Sequence, residues 1–349
     1  MVKVKIADRV IGEGEPCFII AEAGVNHNGD VGLAHRMIDA AIEAGADAVK
    51  FQTFKTEQVV TKDAEKAEYQ KKTTGPKGSL YEILKKLELS KEAHHELKNH
   101  ADQQGIIFLS TPYDSDSVDF LVKLTVPALK VSSADITNHP LLSHIATQNI
   151  PIILSTGMSS LEEVEEAVEV IANSGNKQII LLHCNFNYPA RVEDINLRAM
   201  DTLKQAFGFP VGYSDHTMGV EVSLAAVALG AVVIEKHFTL DRNLPGPDHL
   251  ASLEPAELKD LVSKIRNVES ALGTTTKQPT GEEIQNRKIS RRSLVAALDI
   301  PQGTVINPDM LAAKRPGTGL SPKYAKDLVG RKATVTIKED ELITWDKVR

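Results

Sequence analysis

Residues 210–238 read PVGYSDHTMGVEVSLAAVALGAVVIEKHF. Two short apolar runs, 211–213 and 232–234, flank a stretch of helical pattern. Each run breaks off into polar residues, Ser214-Asp215-His216 after the first and Lys236-His237 after the second. Strand, helix and strand in this order make a right-handed βαβ unit, and such units build parallel sheets. Six more β-rich apolar runs precede these two, at 17–21, 48–51, 106–109, 128–131, 152–154 and 179–182. Amphipathic helices lie between them. Leu161, Val164, Val168 and Ile171 share one face of one helix, and Leu258, Leu261, Val262, Ile265, Val268 and Leu272 share a face of the last. Eight units in about 270 residues is the size of a closed (β/α)₈ TIM barrel. A doubly wound open sheet is the alternative, but no glycine fingerprint follows the first run.

The runs end alike. Glu22, Lys50, Ser110-Thr111, Lys130, Ser155-Thr156-Gly157, Asn185, Ser214-Asp215-His216 and Lys236-His237 follow the eight in turn. A barrel puts all of these on one face, the carboxyl ends of its strands, where such folds place their chemistry. His216 and His237 follow neighbouring strands, about 4.8 Å apart. Two imidazoles there can meet one divalent ion and leave positions for water and a substrate oxygen. Imidazole does not fix the metal. Glu22 suits a metal partner or an acid/base. Lys50 and Lys130, at the tips of buried strands, need partners for their charge. With hydroxyls of Thr111, Ser133, Ser155 and Ser214 they form a cradle for phosphate and carboxylate.

The 349 residues suit one large domain and one small one, and 42% hydrophobic and 25% charged content are ordinary for globular proteins. The expected division is a barrel over 1–272, a linker over 273–289 rich in Thr, Gln, Pro and Glu, and a small β-rich unit over 290–349. Residues 56–79 form a polar segment that suits either a lid over the site or a solvated loop. No apolar run approaches the roughly 18 residues of a membrane span, and residues 1–15 lack the basic start and apolar stretch of a secretory signal. Location in the cytoplasm is expected, with no membrane partner. A net charge of −7 argues against nucleic-acid binding, which needs a basic face. Cys17 and Cys184 read as buried small hydrophobes in a reducing compartment.

Taken in order, several motifs resemble one family. They are Glu22-Ala23-Gly24-Val25-Asn26-His27-Asn28-Gly29, Val49-Lys50-Phe51-Gln52-Thr53, Ser110-Thr111-Pro112, Leu154-Ser155-Thr156-Gly157-Met158, Gly212-Tyr213-Ser214-Asp215-His216-Thr217, Glu235-Lys236-His237-Phe238-Thr239, Gly246-Pro247-Asp248 and Lys314-Arg315-Pro316-Gly317. Across essentially the whole chain the sequence resembles the sialic acid synthases, nonulosonate synthases in which a barrel precedes a small antifreeze-like (SAF) domain.

The resemblance implies a metal-dependent condensation of phosphoenolpyruvate with N-acetylmannosamine and water, giving N-acetylneuraminate and phosphate by C–O cleavage. It implies that His216 and His237 hold Mn²⁺, with Mg²⁺ or Co²⁺ as alternatives, and that Glu22 is the acid/base. Lys50, Thr111, Lys130, Ser133, Ser155 and Ser214 match phosphoenolpyruvate contacts. Gln52, Asp135, Tyr188 and Asp248 match sugar contacts. Arg315 matches an arginine that one subunit extends into the barrel of the other, which implies a domain-swapped homodimer. Two positions depart from the family pattern. Asp135 stands where many members have Glu, and Phe186 where several have a small polar residue. Both bear on the aldose, and a 6-deoxy-2,4-diacetamido sugar leading to legionaminic acid is the alternative. Three more distant readings are a synthase acting on a phosphorylated aldose, for which no second Arg/Lys cluster is evident, a metal-dependent hydrolase, for which no His-x-His pair follows the first run, and a non-catalytic binding protein, which has no need of Glu22, two lysines and two histidines in one cleft.

Overall fold

The computed structural model describes residues 2–349, apart from the side chain of Lys72. The chain forms two compact units that divide between Gly273 and Thr274. In the first, a hairpin of β1 (Val4–Ile6) and β2 (Arg9–Ile11) leads into eight parallel strands. These are β3 (Phe18–Gly24), β4 (Ala48–Thr53), β5 (Ile107–Pro112), β6 (Leu129–Val131), β7 (Ile152–Ser155), β8 (Ile179–Cys184), β9 (Val211–Asp215) and β10 (Val233–His237). They pair in sequence order, and β10 closes on β3. All eight expected runs are strands of this closed barrel, and the alternative of an open sheet is excluded.

Period-2 alternation sorts each strand between two cores. Ile19, Ala21, Val49, Phe51, Phe108, Leu129, Ile152, Leu154, Ile179 and Ile234 belong to the cluster shared with the helices. Their neighbours Phe18, Ile20, Ala48, Leu109, Ile153, Ile180, Leu182 and Val233 form a second cluster inside the barrel. Val4, Ile6 and Ile11 of the hairpin join that inner cluster and plug the amino-terminal end. This hairpin is an addition to the elements expected from the sequence. Above the apolar layers the same alternation turns Glu22, Lys50, Thr111, Lys130, Ser155, Cys184, Ser214 and Glu235 inward.

Helices wrap the barrel: α1 (Val31–Ala44), then three short ones, α2 (Thr56–Val59), α3 (Glu68–Thr74) and α4 (Leu80–Leu87), then α5 (Lys91–Gln104), α6 (Ser115–Lys123), α7 (His139–Thr147), α8 (Leu161–Asn173), α9 (Ala199–Phe207), α10 (Glu221–Ala228) and α11 (Pro255–Leu272). Side-chain caps set their starts. Asp30 accepts from the Leu33 amide, Ser90 from Ala93, and Ser160 with Glu163 makes a reciprocal capping box. The segment 56–79, open between lid and loop in the sequence, contains α2 and α3.

The second unit begins with a helix where a linker was expected, α12 (Gly281–Ser290). It buries no side chain, so it leaves no apolar period to read. A Thr280/Glu283 capping box starts it, with Glu282 and Glu283 in its first turn and Arg287 and Lys288 in its last. Strands β11 (Ser293–Ala296) and β12 (Leu311–Lys314) pair antiparallel. Leu294, Ile300, Ile306, Leu328, Ile337 and Ile343 give this unit its own core. No helix among the described residues is long and apolar enough to cross a membrane.

Candidate active site

The inward residues at the carboxyl end of the barrel form a polar cleft, lined among others by Glu22, Lys50, Gln52, Thr111, Lys130, Ser133, Ser155, Tyr188, Ser214, His216 and His237. Eleven residues expected from the strand ends and from the family resemblance therefore meet in one place. In register, Glu22 pairs with Lys50 on one side and with His237 on the other. A bulge after Glu22 places Gly24 at φ +54, where a Cβ would stand 3.3 Å from both Glu22 Oε1 and His237 Cε1. Only glycine leaves that space open beside the histidine.

The floor of the cleft is a buried ionic network. Lys50 Nζ lies 2.7 Å from Glu22 Oε2 and 3.7 Å from Glu235 Oε2, and donates to Thr111 Oγ1 at 3.0 Å. Lys130 Nζ donates to Ser155 Oγ at 2.6 Å and to Val131 O at 2.8 Å, with Glu235 Oε1 4.0 Å away. Ser214 Oγ donates to that same Glu235 oxygen at 2.9 Å. Ser133 Oγ accepts from the Gly157 amide at 2.9 Å.

Burial disfavours every charge here, and the pairings decide which survive. It pushes the Glu22 carboxyl up to about 7 against the pull of Lys50. Burial acts the same way on Glu235, but Lys130 and Lys50 overcome it and hold that carboxyl below its usual range. Lys50 stays above the ordinary lysine value because Glu22 and Glu235 outweigh its desolvation, whereas Lys130 is lowered by burial. Two lysines thus face two carboxyl groups, one held as a firm carboxylate and one easily protonated.

His216 and His237 have ring centroids 5.4 Å apart. Burial lowers His216 to about 4 and His237 well below its usual range, so both are neutral near pH 7. The Nδ1–H of His216 donates to Asn185 O at 2.6 Å, which leaves the lone pair on Nε2. His237 Nδ1 is buried with no hydrogen-bond partner. Two neutral imidazoles, one with an orphaned ring nitrogen, are a fitting donor pair for a borderline divalent ion. Among the described residues no group of three or more His, Cys, Asp or Glu is arranged to hold a metal ion.

Aromatic rings stand at the histidine side. Tyr188 stacks on His216 with centroids 4.1 Å apart, Tyr69 of α3 lies 5.1 Å from Tyr188, and Phe186 meets Tyr188 edge-on at 5.8 Å. Asp248 and Asp135 are not in the lining. Asp248 is buried, its carboxyl is pushed up to about 7 by desolvation alone, and its charge acts on Tyr188 and Tyr69. Asp135 accepts from Asn138 Nδ2 at 3.2 Å. Arg315 belongs to the second unit. Sequence reasoning passed over Glu235, Tyr113 and Ser132 as lining residues. The signal for Glu235 was available, since it stands two residues after Val233 and two before His237. Both cysteines are free and buried as expected, but Cys184 also lines the cleft, with its Sγ 3.3 Å from Ser133 Oγ.

Comparison with known proteins accords with this geometry. The NeuB family model matches residues 37–277, and the SAF domain model matches residues 291–349. The N,N'-diacetyllegionaminic acid synthase of Legionella pneumophila is 48% identical over 97% of this chain and 96% of its own length. The enzyme of the same name from Campylobacter jejuni is 51% identical over 93% of this chain and 98% of its own. Among solved structures, the N-acetylneuraminic acid synthetase of Leptospira borgpetersenii is 39% identical, with a TM-score of 0.72, covering 82% of this chain and 96% of that one.

Proposed function

The chain belongs to the NeuB family, and from that premise we propose that it condenses phosphoenolpyruvate with an open-chain amino sugar and water to give a nonulosonate and phosphate. The observation that carries this reading is the convergence of two lysines, two neutral imidazoles and one easily protonated carboxyl from five barrel strands on one cleft.

Lys50 and Lys130, with the hydroxyls of Thr111, Ser133, Ser155 and Ser214, hold the phosphate and carboxylate oxygens of phosphoenolpyruvate. An anion entering there replaces Glu235 and Glu22 as partner of the ammonium groups. Carbon 3 of phosphoenolpyruvate forms the new bond to the aldehyde carbon, using its enol electron pair, and the aldehyde oxygen takes a proton. Glu22, which carries a proton close to neutral pH, is the group that supplies it. Water then adds at carbon 2 and loses a proton. The tetrahedral intermediate breaks its carbon 2–oxygen bond and releases phosphate. His216 and His237 would hold a divalent ion, Mn²⁺ foremost, which when bound supplies Lewis-acid polarisation of the aldehyde.

For the aldose we propose 2,4-diacetamido-2,4,6-trideoxymannose, leading to diacetyllegionaminic acid. Two relatives near half identity carry that product in their names. Phe186, Tyr69 and Tyr188 also offer apolar surface suited to a 6-methyl and a second acetamido methyl. N-acetylmannosamine is the second reading, favoured by the likeness to the Leptospira structure. Initial rates with Mn²⁺ and both sugars decide between them. A kcat/KM at least about tenfold higher for the diacetamido sugar is expected. The reverse preference would make the product N-acetylneuraminate.

The proposal includes a two-fold dimer in which Arg315 of one copy serves the sugar of the other. Arg315→Ala is expected to raise the sugar KM about tenfold or more with the phosphoenolpyruvate KM unchanged. An unchanged sugar KM would remove Arg315 from the site.

A further inference from the structure

Behind the two histidines, on the helix-facing side of the barrel wall, lies a second buried ion pair. Asp215 immediately precedes His216 and Lys236 immediately precedes His237. Lys236 Nζ stands 2.9 Å from Asp215 Oδ2, and the two side chains are 1% and 0% exposed. Asp215 also accepts from the Thr217 amide at 2.8 Å, from Thr217 Oγ1 at 2.7 Å and from Ser223 Oγ of α10 at 2.6 Å. Lys236 Nζ donates in turn to Thr217 O at 2.8 Å.

The position of this pair relative to the backbone ladder gives it a use. The β9–β10 ladder runs Ile234 to Tyr213, Glu235 to Ser214 and Lys236 to Asp215, and stops there. His216 and His237 therefore lie one residue past the last paired position, where backbone hydrogen bonds no longer tie the two strands together. Lys236 reaches beyond that end to the carbonyl of Thr217, on the far side of His216. Asp215 folds the same residue back through its amide and hydroxyl. His216 is thus clamped at both flanking residues, and the clamp is anchored on the strand that carries His237. Buried ion pairs seldom stabilise a fold beyond what well-packed apolar residues achieve, so holding geometry is the better account of such a costly pair.

We propose that Asp215 and Lys236 are positioning residues that set the separation of the two imidazoles and thereby the divalent-metal affinity of the site. The inference rests on the reading of His216 and His237 as metal ligands. Removing groups that orient metal ligands typically weakens binding about 10–100-fold.

The test measures Mn²⁺ binding directly, by the electron paramagnetic resonance signal of free Mn²⁺, on the folded full-length protein without substrates. The variant Asp215→Asn/Lys236→Met removes both charges and keeps an acceptor for the Thr217 amide. Its expected result is a native circular-dichroism spectrum with Mn²⁺ affinity weakened about tenfold or more. If that variant does not fold, the near-isosteric Asp215→Asn alone decides, with a loss of about tenfold expected. A folded variant with wild-type Mn²⁺ affinity overturns the positioning role, because a purely structural pair changes melting temperature and not the affinity of the folded protein. Absence of Mn²⁺ binding in the wild type, or wild-type affinity in His237→Ala, overturns the metal reading itself, and the positioning role falls with it.

Discussion

Replacing His237 by alanine removes one of two imidazoles that burial keeps neutral, at a position where the other donor is fixed by its bond to Asn185 O. Turnover is expected to fall about a thousandfold or more, the scale of several kcal/mol of lost electrophilic assistance, with an unchanged circular-dichroism spectrum. Steady-state kinetics at saturating substrates check this, and a variant within tenfold of wild type would contradict it. Asp248 behaves differently. Its carboxyl sits near 7 in the fold against about 3.9 in an unfolded chain, so the folded state holds the proton more tightly. Stability is therefore fully present below about pH 4 and is lost as pH rises through about 7. Asp248→Asn is expected to melt several degrees above wild type at pH 8 and close to it at pH 4. Equal melting temperatures at pH 8 would show that Asp248 is not strained by burial. The residues legible in the sequence were those that interrupt an apolar run: Glu22, Lys50, Lys130, His216 and His237. Glu235 escaped because the apolar run stops at Ile234, although alternation carries the strand on to His237. Asp135 and Asp248 came only from family likeness. They sit on loops, where no period dictates direction, and the cleft lining does not include them.

Among the elements, the amino-terminal hairpin carries weight out of proportion to its length. Ile6 is fully buried in the inner cluster beneath the polar floor. Ile6→Ala is expected to destabilise the protein by about 2–4 kcal/mol, as for other large-to-small core changes, and to leave both KM values unchanged. Chemical denaturation beside kinetics tests this, and a loss under about 1 kcal/mol would mean that the hairpin does not plug the barrel. The barrel strands and their helices were legible because each buries a patterned face. The hairpin was not, since strands of three residues carry too little pattern. Helix α12 was not either, since a helix that buries nothing has only its caps to announce it. The segment that contains α2 and α3 had no sequence signature for covering a site, and it is Tyr69, packed on Tyr188, that relates it to the cleft.

At the scale of the whole molecule, a chain of net charge −7 gathers two lysines in the cleft of its barrel. Overall charge argued against nucleic-acid binding but said nothing of two lysines buried against the barrel axis, because local fields depend on placement rather than on sums. The division into a barrel and a small unit follows from each having a hydrophobic core of its own. In the function proposed above, the cleft of the barrel joins the enol of phosphoenolpyruvate to a sugar aldehyde. The most direct measurement is phosphate release from phosphoenolpyruvate with Mn²⁺, without sugar and with the diacetamido sugar or N-acetylmannosamine, and mass analysis of the product. Release that requires the sugar, matched mole for mole by a nonulosonate, is the predicted result. Release without sugar, or none in the presence of either aldose, would rule out this condensation.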